Sequence, residues 1–223
     1  MSAAFGQRRS HTALLGALAC AVLVASCAFP RDTRIAPAQY DIGQLQADTR
    51  ERPRINATLL VPAVGAPAWL DTMGIAYRLA YEDATRVRTY ANSRWVDTPA
   101  TLVTEHLRSR LAATASRVIN PGDGARADYA LRVELEDFSQ TFDAPDSSRV
   151  LTRVRVSLVN LVTRNVDAQR TFQIERPAAP TAAGAADALA DASQALLDNV
   201  LAWTAQSLKN RDARQISNER EYR

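Results

Sequence analysis

The residue whose type and position suggest chemistry most directly is Cys27, one of only two cysteines in this 223-residue chain. It ends the stretch 24–27 (VASC), which follows an uncharged apolar run at residues 12–24 and the two positive charges of Arg8 and Arg9. A charged head, a short apolar core and a small-residue exit are typical of a secretory signal. The apolar run of about 13 residues is shorter than the roughly 20 that a membrane-spanning helix needs, so it is predicted to direct export and not to remain as a span.

The same stretch, residues 24–27, resembles the bacterial lipobox, whose cysteine is acylated and becomes the new N-terminus after cleavage. The alternative is a structural thiol in a soluble exported protein. Because Cys20 would leave with the signal at residues 1–26, Cys27 would then be an unpaired thiol in an oxidising compartment, which is a liability. We therefore predict that Cys27 is lipidated, since acyl chains that each contribute about 0.8 kcal/mol per buried CH₂ can hold a protein at a membrane.

Residues that could support catalysis are scarce after the predicted signal. His106 is the one histidine that remains, and a zinc site takes three or four ligands that are usually His and Cys. A serine hydrolase needs a base beside its nucleophile, and only His106 could serve, with no G-x-S-x-G sequence present. The simplest interpretation is a helix residue at the edge of a packed face. No metal and no cofactor are predicted.

Three neighbouring carboxylates, Glu134, Glu136 and Asp137, invite a comparison with glycosidases, which work with two carboxyl groups. However, they alternate with core residues of a predicted strand and neighbour Arg153 and Arg155 on its predicted partner strand. Cross-strand ion pairs on a solvated face explain them better. We therefore do not predict an enzyme.

The charge balance argues against nucleic acid as a partner. The chain has 27 Lys and Arg against 24 Asp and Glu, a net charge of +3 that falls to about +1 once Arg8 and Arg9 are removed. No stripe of basic residues with interleaved aromatics is present, as single-strand binding would favour. The mature chain is predicted to be one nearly neutral globular domain at 39–208, joined to its anchor by a proline-containing tether at 27–38.

Hydrophobic periodicity predicts an α/β domain. Apolar runs predict a short strand near Tyr40 and strands at 55–64, 75–80 and 86–95, the last two forming a hairpin. A helix is predicted to begin at Pro99 with Thr98 as its cap, followed by an extended piece at 117–119. Three period-2 strands after Tyr129 then predict an antiparallel meander, with Val162 and Val166 on its buried face.

A second long helix is predicted from about Ala185 to Ser207, with Leu189, Leu196, Val200 and Trp203 on its apolar side. Residues 209–223 are almost free of apolar side chains, and we interpret them as a frayed or disordered tail.

Three stretches together resemble the auxiliary lipoproteins of ABC-type transport systems, the group that includes the paraquat-inducible C lipoprotein. They are WLDTMGIAYRL (69–79), YANSRW with TPATLV (90–103), and the long stretch at 149–178. The resemblance covers about residues 38–207. It implies a three-layer α/β fold with a mixed sheet, similar to the anticodon-binding-domain-like and TolB N-terminal folds. Where relatives often have Gly near 165, this chain has Arg164-Asn165, and Asn tolerates a left-handed turn.

The resemblance also implies a function. Such lipoproteins are non-enzymatic parts of envelope transporters in which a permease and an ATPase work with a periplasmic MCE protein to move lipids or other hydrophobic compounds. The expected role is to dock the MCE protein at the outer membrane. Ala28 follows the anchor where many inner-membrane lipoproteins carry Asp, which favours the outer membrane. The alternatives are a lipoprotein that assembles or plugs another outer-membrane protein, a lipid-binding carrier, and an envelope hydrolase.

A loop between Pro67 and Gly74 contains the candidate partner-binding residues Trp69, Leu70 and Met73. One interpretation is that Trp69 folds back and covers the sheet. The other is an exposed docking patch, because Trp and Met are favoured at the cores of interfaces.

Overall fold

A computed structural model describes residues 36–44 and 54–221 of the chain, with side chains up to residue 213. The predicted signal peptide at 1–26, Cys27 and most of the predicted tether at 27–38 lie outside the described residues.

Eight strands and three helices make up the described part of the chain. In chain order they are β1 (Ala38–Tyr40), β2 (Ile55–Leu60), β3 (Gly74–Leu79), α1 (Ala80–Asp83), β4 (Ala84–Trp95), α2 (Pro99–Ala112), β5 (Ala115–Ile119), β6 (Tyr129–Ala144), β7 (Ser147–Asn160), β8 (Val166–Ala178) and α3 (Ala182–Glu221).

Strand β6 organises the sheet. One edge of β6 pairs antiparallel with β7 along its length, and β7 pairs in turn with β8. The other edge pairs with two strands placed end to end, because β2 lies parallel to its first residues and β3 lies parallel to its last ones. Gly65 joins the two, since its N–H donates to Val133 O (3.0 Å) and its carbonyl accepts from Leu135 N (2.7 Å). Strand β5 then extends β2, while β4 and β1 extend β3.

The predicted meander is confirmed, and it has one buried face. On β6 the large buried apolar residues are odd-numbered up to Leu135 and even-numbered from Phe138, because a register shift between Leu135 and Asp137 places Glu136 in a bulge. The small residues Ala130 and Ser139 are buried as well, although they lie on the opposite face of the strand. On β7 the buried positions are even-numbered throughout. The apolar side chains of this covered face on β6 and β7 are Leu131, Val133, Leu135, Phe138, Phe142, Val150, Val154, Val156 and Leu158.

Two valines predicted on the buried face are exposed, so the prediction is wrong for them. Val162 is 84% exposed, because it lies in the β7–β8 turn, where Asn160 Oδ1 accepts from Val162 N (2.9 Å) and ends the strand. Val166 pairs with Val159 after a register shift, and that shift moves its side chain to the outer face. The left-handed residue of this turn is Arg164, with φ of 61°, and not the Asn165 that we expected to tolerate that conformation.

Local sequence explains where α2 and α3 begin. The Thr98 side chain accepts from Thr101 N (3.3 Å) and Pro99 occupies the first helical turn, so the predicted cap of α2 is confirmed. Thr181 caps α3 in the same way, through a hydrogen bond from Gly184 N (3.0 Å).

The predicted C-terminal end of α3 near Ser207 is wrong, because the helix continues to Glu221 through most of the segment interpreted as a frayed or disordered tail. Leu208 is buried. Arg211 pairs with Asp167 of β8 and donates to the Tyr129 hydroxyl (2.9 Å). These contacts with distant residues stabilise the helix near Arg211, although the composition of residues 209–223 alone predicts disorder.

The predicted fold class is confirmed as a single α/β domain with a mixed sheet, an antiparallel meander and two main helices. Helices α2 and α3 contact each other, since Arg110 of α2 donates to the Gln194 carbonyl of α3 (3.2 Å), and both contribute to one core. The outer face of the meander carries charged and polar side chains.

Candidate functional site

The loop from Pro67 to Gly74 brings two of its three predicted residues into the fold. Leu70 is 2% exposed and belongs to the core, where a turn closed by Leu70 N on Pro67 O (2.9 Å) places it. Trp69 is half-buried, and the guanidinium of Arg78 lies 5.1 Å from the centre of its ring.

Met73 is the exposed member of this loop, with 45% of its surface accessible. Its carbonyl accepts from the N–H of Trp95 (2.7 Å), which fixes the loop against the end of β4. Val96, which follows Trp95, is also exposed, and its N–H donates to the Tyr40 carbonyl (2.8 Å). Met73 and Val96 are thus two exposed apolar residues at the end of β4. Sequence reasoning missed Val96 because it lies outside the predicted loop.

Two of the three carboxylates first considered for glycoside chemistry, Glu134 and Glu136, form ion pairs as predicted, whereas Asp137 Oδ1 accepts from Ser139 Oγ (2.6 Å). Glu134 Oε2 accepts from Arg155 Nη2 (2.5 Å) and Nε (3.0 Å), and Glu136 lies 3.5 Å from the same guanidinium. The second predicted partner, Arg153, bonds instead to Gln173 Oε1 (2.7 Å). Each of these groups is at least partly exposed, so the pairs resemble ordinary surface ion pairs.

His106 is more deeply buried than its predicted place at the edge of a packed face. Only 7% of the residue is exposed, and its Nδ1 is buried without a hydrogen-bond partner. Burial lowers the pKa of His106, and the carboxylate of Asp41 acts against this shift. No group of three or more His, Cys, Asp or Glu residues that could hold a metal ion occurs among the described residues.

A polar network that the sequence did not reveal lies within the covered face. Gln140 is fully buried, its Oε1 accepts from the Tyr90 hydroxyl (2.6 Å), and its Nε2 donates to Ser148 Oγ (2.7 Å) and Ala179 O (2.9 Å). The Ser148 hydroxyl donates onward to Ala178 O (2.9 Å). Burial raises the pKa of Tyr90 to about 12. The network joins β4, β6 and β7 to the end of β8, and the side-chain atoms of Tyr90, Gln140 and Ser148 all have partners.

An open groove of about 600 Å³ lies between β2 and α3. Ile55 and Ala57 line it from β2, and Ala205 and Leu208 line it from α3. Charged side chains, which are those of Arg54, Lys209 and Asp212, also line it. A groove with this mixed lining differs from the mostly apolar sites that bury small hydrophobic ligands.

The comparisons with known proteins decide the family. The family model described as the ABC-type transport auxiliary lipoprotein component matches residues 40–201, which is most of the chain. The chain belongs to this family. No curated protein sequence matches it significantly.

Two solved structures share the fold of this auxiliary lipoprotein. One is a Xanthomonas campestris protein of the DUF330 family, 18% identical with a TM-score of 0.69, covering 79% of this chain and 99% of that chain. The other is an uncharacterised protein, 17% identical with a TM-score of 0.53, covering 82% of this chain and 99% of that chain. Within the described residues of the auxiliary lipoprotein, no helix is both long enough and apolar enough to cross a membrane.

Proposed function

We propose that this auxiliary lipoprotein is a non-enzymatic, lipid-anchored periplasmic subunit of an ABC-type transport system, and that it docks the MCE component at the outer membrane for the transport of lipids or hydrophobic compounds. The family match over residues 40–201 carries the proposal, because the family is defined by its association with such transport systems. The permease and the ATPase of the system would be its further partners.

Attachment to the membrane would come from Cys27, whose acylation the lipobox-like sequence predicts. Changing Cys27→Ser should abolish labelling with a radioactive fatty acid and release the protein from the membrane fraction. The wild-type protein, expressed at the same level, is the control. Continued labelling of the Ser variant would contradict the proposed anchor.

Docking of the MCE partner would use the loop from Pro67 to Gly74, where Met73 and the accessible part of Trp69 offer apolar contacts at the surface. Leu70 would support the loop from the core. The association of Trp and Met with interface cores supports this choice of residues. Val96 is a further exposed apolar residue, and it follows Trp95, whose N–H donates to the Met73 carbonyl.

The docking surface is tested by changing Trp69 and Met73 to Ala together in the anchored protein and measuring pull-down of the MCE protein alongside melting temperature. We expect weakened pull-down, with a modest loss of stability because Trp69 packs partly against the core. Met73→Ala alone should weaken pull-down without lowering the melting temperature. Val162→Ala, which also removes an exposed apolar side chain, is the matched control and should leave both unchanged. Normal pull-down by the Met73→Ala variant would assign docking to another surface.

A further inference from the structure

The tip of the β3–β4 hairpin exposes two large apolar side chains. The tip consists of residues 79–88 and includes the one-turn helix α1. Tyr81 is 44% exposed and Val87 is 37% exposed. Neither contributes to the core cluster, so the fold gains little from keeping these side chains apolar.

The formal charges of the tip sum to zero, because the carboxylates of Glu82 and Asp83 are balanced by Arg86 and Arg88. Glu82 forms an ion pair with Arg88 (2.7 Å). The Asp83 carboxylate accepts from Thr85 N (2.9 Å) and Thr85 Oγ1 (2.6 Å). The tip therefore presents an aromatic ring and an aliphatic side chain among polar groups that already have partners. Such a surface suits the interface of a phospholipid bilayer, where tyrosine is enriched because its ring is apolar and its hydroxyl is polar.

The direction of β1 leads from the tip towards the body of the sheet. Strand β1 runs parallel to β4, with Ala38 opposite Ser93 and Tyr40 opposite Trp95. The chain therefore enters β1 from the side on which β4 begins, and β4 begins at the tip. From Ser93 back to Ala84 the strand extends about 30 Å at the usual rise per residue. Residues 27–37, when extended, reach about 36–40 Å, so an anchor at Cys27 can lie level with the tip.

We propose that the β3–β4 tip rests on the phospholipid surface in the anchored protein, with Tyr81 in the headgroup layer and Val87 beside it. The inference rests on the proposed lipidation of Cys27. Acyl chains provide most of the attachment, and the tip sets the orientation of the domain. Because the charges of the tip sum to zero, the contact depends on apolar and interfacial side chains and is insensitive to the charge of the lipid.

With the tip on the membrane, the opposite end of the long strands would point away from it. Leu79, at the tip, pairs with Phe142 near the end of β6, whereas Asn160 at the end of β7 pairs with Tyr129 at the start of β6. The β7–β8 turn, which contains Val162, thus lies about 50 Å along the sheet from the tip at the usual rise per residue. It would face the aqueous periplasm.

The test places a spin label at each end of the acylated full-length protein in phosphatidylcholine vesicles. Cys20 leaves with the signal and Cys27 carries lipid, so Ala84→Cys and Val162→Cys would each provide a single free thiol. Ala84 lies in the tip, and labelling it keeps Tyr81 and Val87 in place. Both positions are exposed, and the melting temperature of each labelled protein checks its fold. Power-saturation spectroscopy then compares collisions with oxygen, which concentrates in lipid, and with a nickel complex, which stays in water.

We expect the ratio of oxygen to nickel collisions to be several-fold higher at position 84 than at position 162, with little change when phosphatidylglycerol replaces part of the phosphatidylcholine. Equal ratios at both positions, or a higher ratio at 162, would overturn the proposed orientation while leaving the anchor intact. A protein that fails to float with the vesicles would overturn the anchor, and the orientation with it.

Discussion

The two faces of the meander β6–β8 carry side chains of opposite character, although the same three strands supply both. The covered face packs against the helices with residues such as Val154 and Val156, and its buried polar groups include the hydrogen-bonded Gln140. The outer face carries the ion pairs of Arg155 and the hydrogen bonds of Arg153. Charge is tolerated on one side of each strand because water solvates it there, and excluded on the other because burial removes that water.

The largest expected effect comes from placing a charge on the covered face. Val156 is fully buried, so Val156→Asp should lower the free energy of unfolding by about 3–5 kcal/mol, a large part of the stability of a small domain. Chemical denaturation followed by circular dichroism measures the change.

Arg155→Asp is the matched control one residue away on the outer face. It removes the ion pairs with Glu134 and Glu136 and places like charges together, but at an exposed position this should lower the free energy of unfolding far less than Val156→Asp does. Equal losses in the two variants would mean that burial does not distinguish the two faces.

Replacing a glutamine by leucine should lower stability less than Val156→Asp does, and the loss should differ between the two faces. Gln140→Leu leaves the Ser148 hydroxyl and the Ala179 carbonyl short of a partner, and should cost about 2 kcal/mol. Gln173→Leu, on the outer face, removes only the two exposed hydrogen bonds from Arg153 and should change stability by less than about 0.5 kcal/mol. Thermal unfolding compares the two, and a Gln140 variant as stable as the Gln173 variant would show that the network contributes little.

The smallest expected effect comes from His106, a buried titratable residue of helix α2. Burial lowers the pKa of His106, so the folded state favours the neutral imidazole, while the unfolded chain titrates near pH 6.5. The stability that neutral His106 contributes is therefore present above about pH 6.5, and it is lost as the pH falls through the pKa of His106 in the folded state. The groups that act on it are Asp41, Glu105 and Arg110, and the two carboxylates oppose the effect of burial.

His106→Gln should remove this part of the pH dependence. Melting temperature measured between pH 7.5 and 5 for both proteins checks the expectation. A wild-type curve that falls no more steeply than that of the variant would contradict it.

Local signals in the sequence were enough to predict the meander, the β3–β4 hairpin and the start of α2. Period-2 alternation predicted the burial of Val154 and Leu158, because one face of each strand is covered and the other is wet. The cap at Thr98 could be identified because its hydrogen bond involves a residue only three positions away.

Features that depend on distant residues could not be predicted. The bulge at Glu136 depends on pairing with β7, and the turn of α3 near Arg211 depends on Asp167 and Tyr129. Burial of Gln140 depends on partners up to 50 positions away.

Within the candidate docking loop, composition identified Trp69, Leu70 and Met73 together, but a loop has no periodicity to show which of them faces inward. Leu70 proved to be core, Trp69 half-buried and Met73 exposed.

The end-to-end placement of β2 and β3 along one edge of β6 has a consequence for the order of folding. The meander joins neighbours in the chain, such as Gln140 and Val150, whereas β2 and β3 must find β6 across much longer loops, as Leu59 does with Tyr129. Closing long loops costs entropy before contacts repay it. We expect the meander to protect its amides first in pulse-labelled hydrogen exchange, and β2 and β3 to dock later on an edge that β6 has already formed.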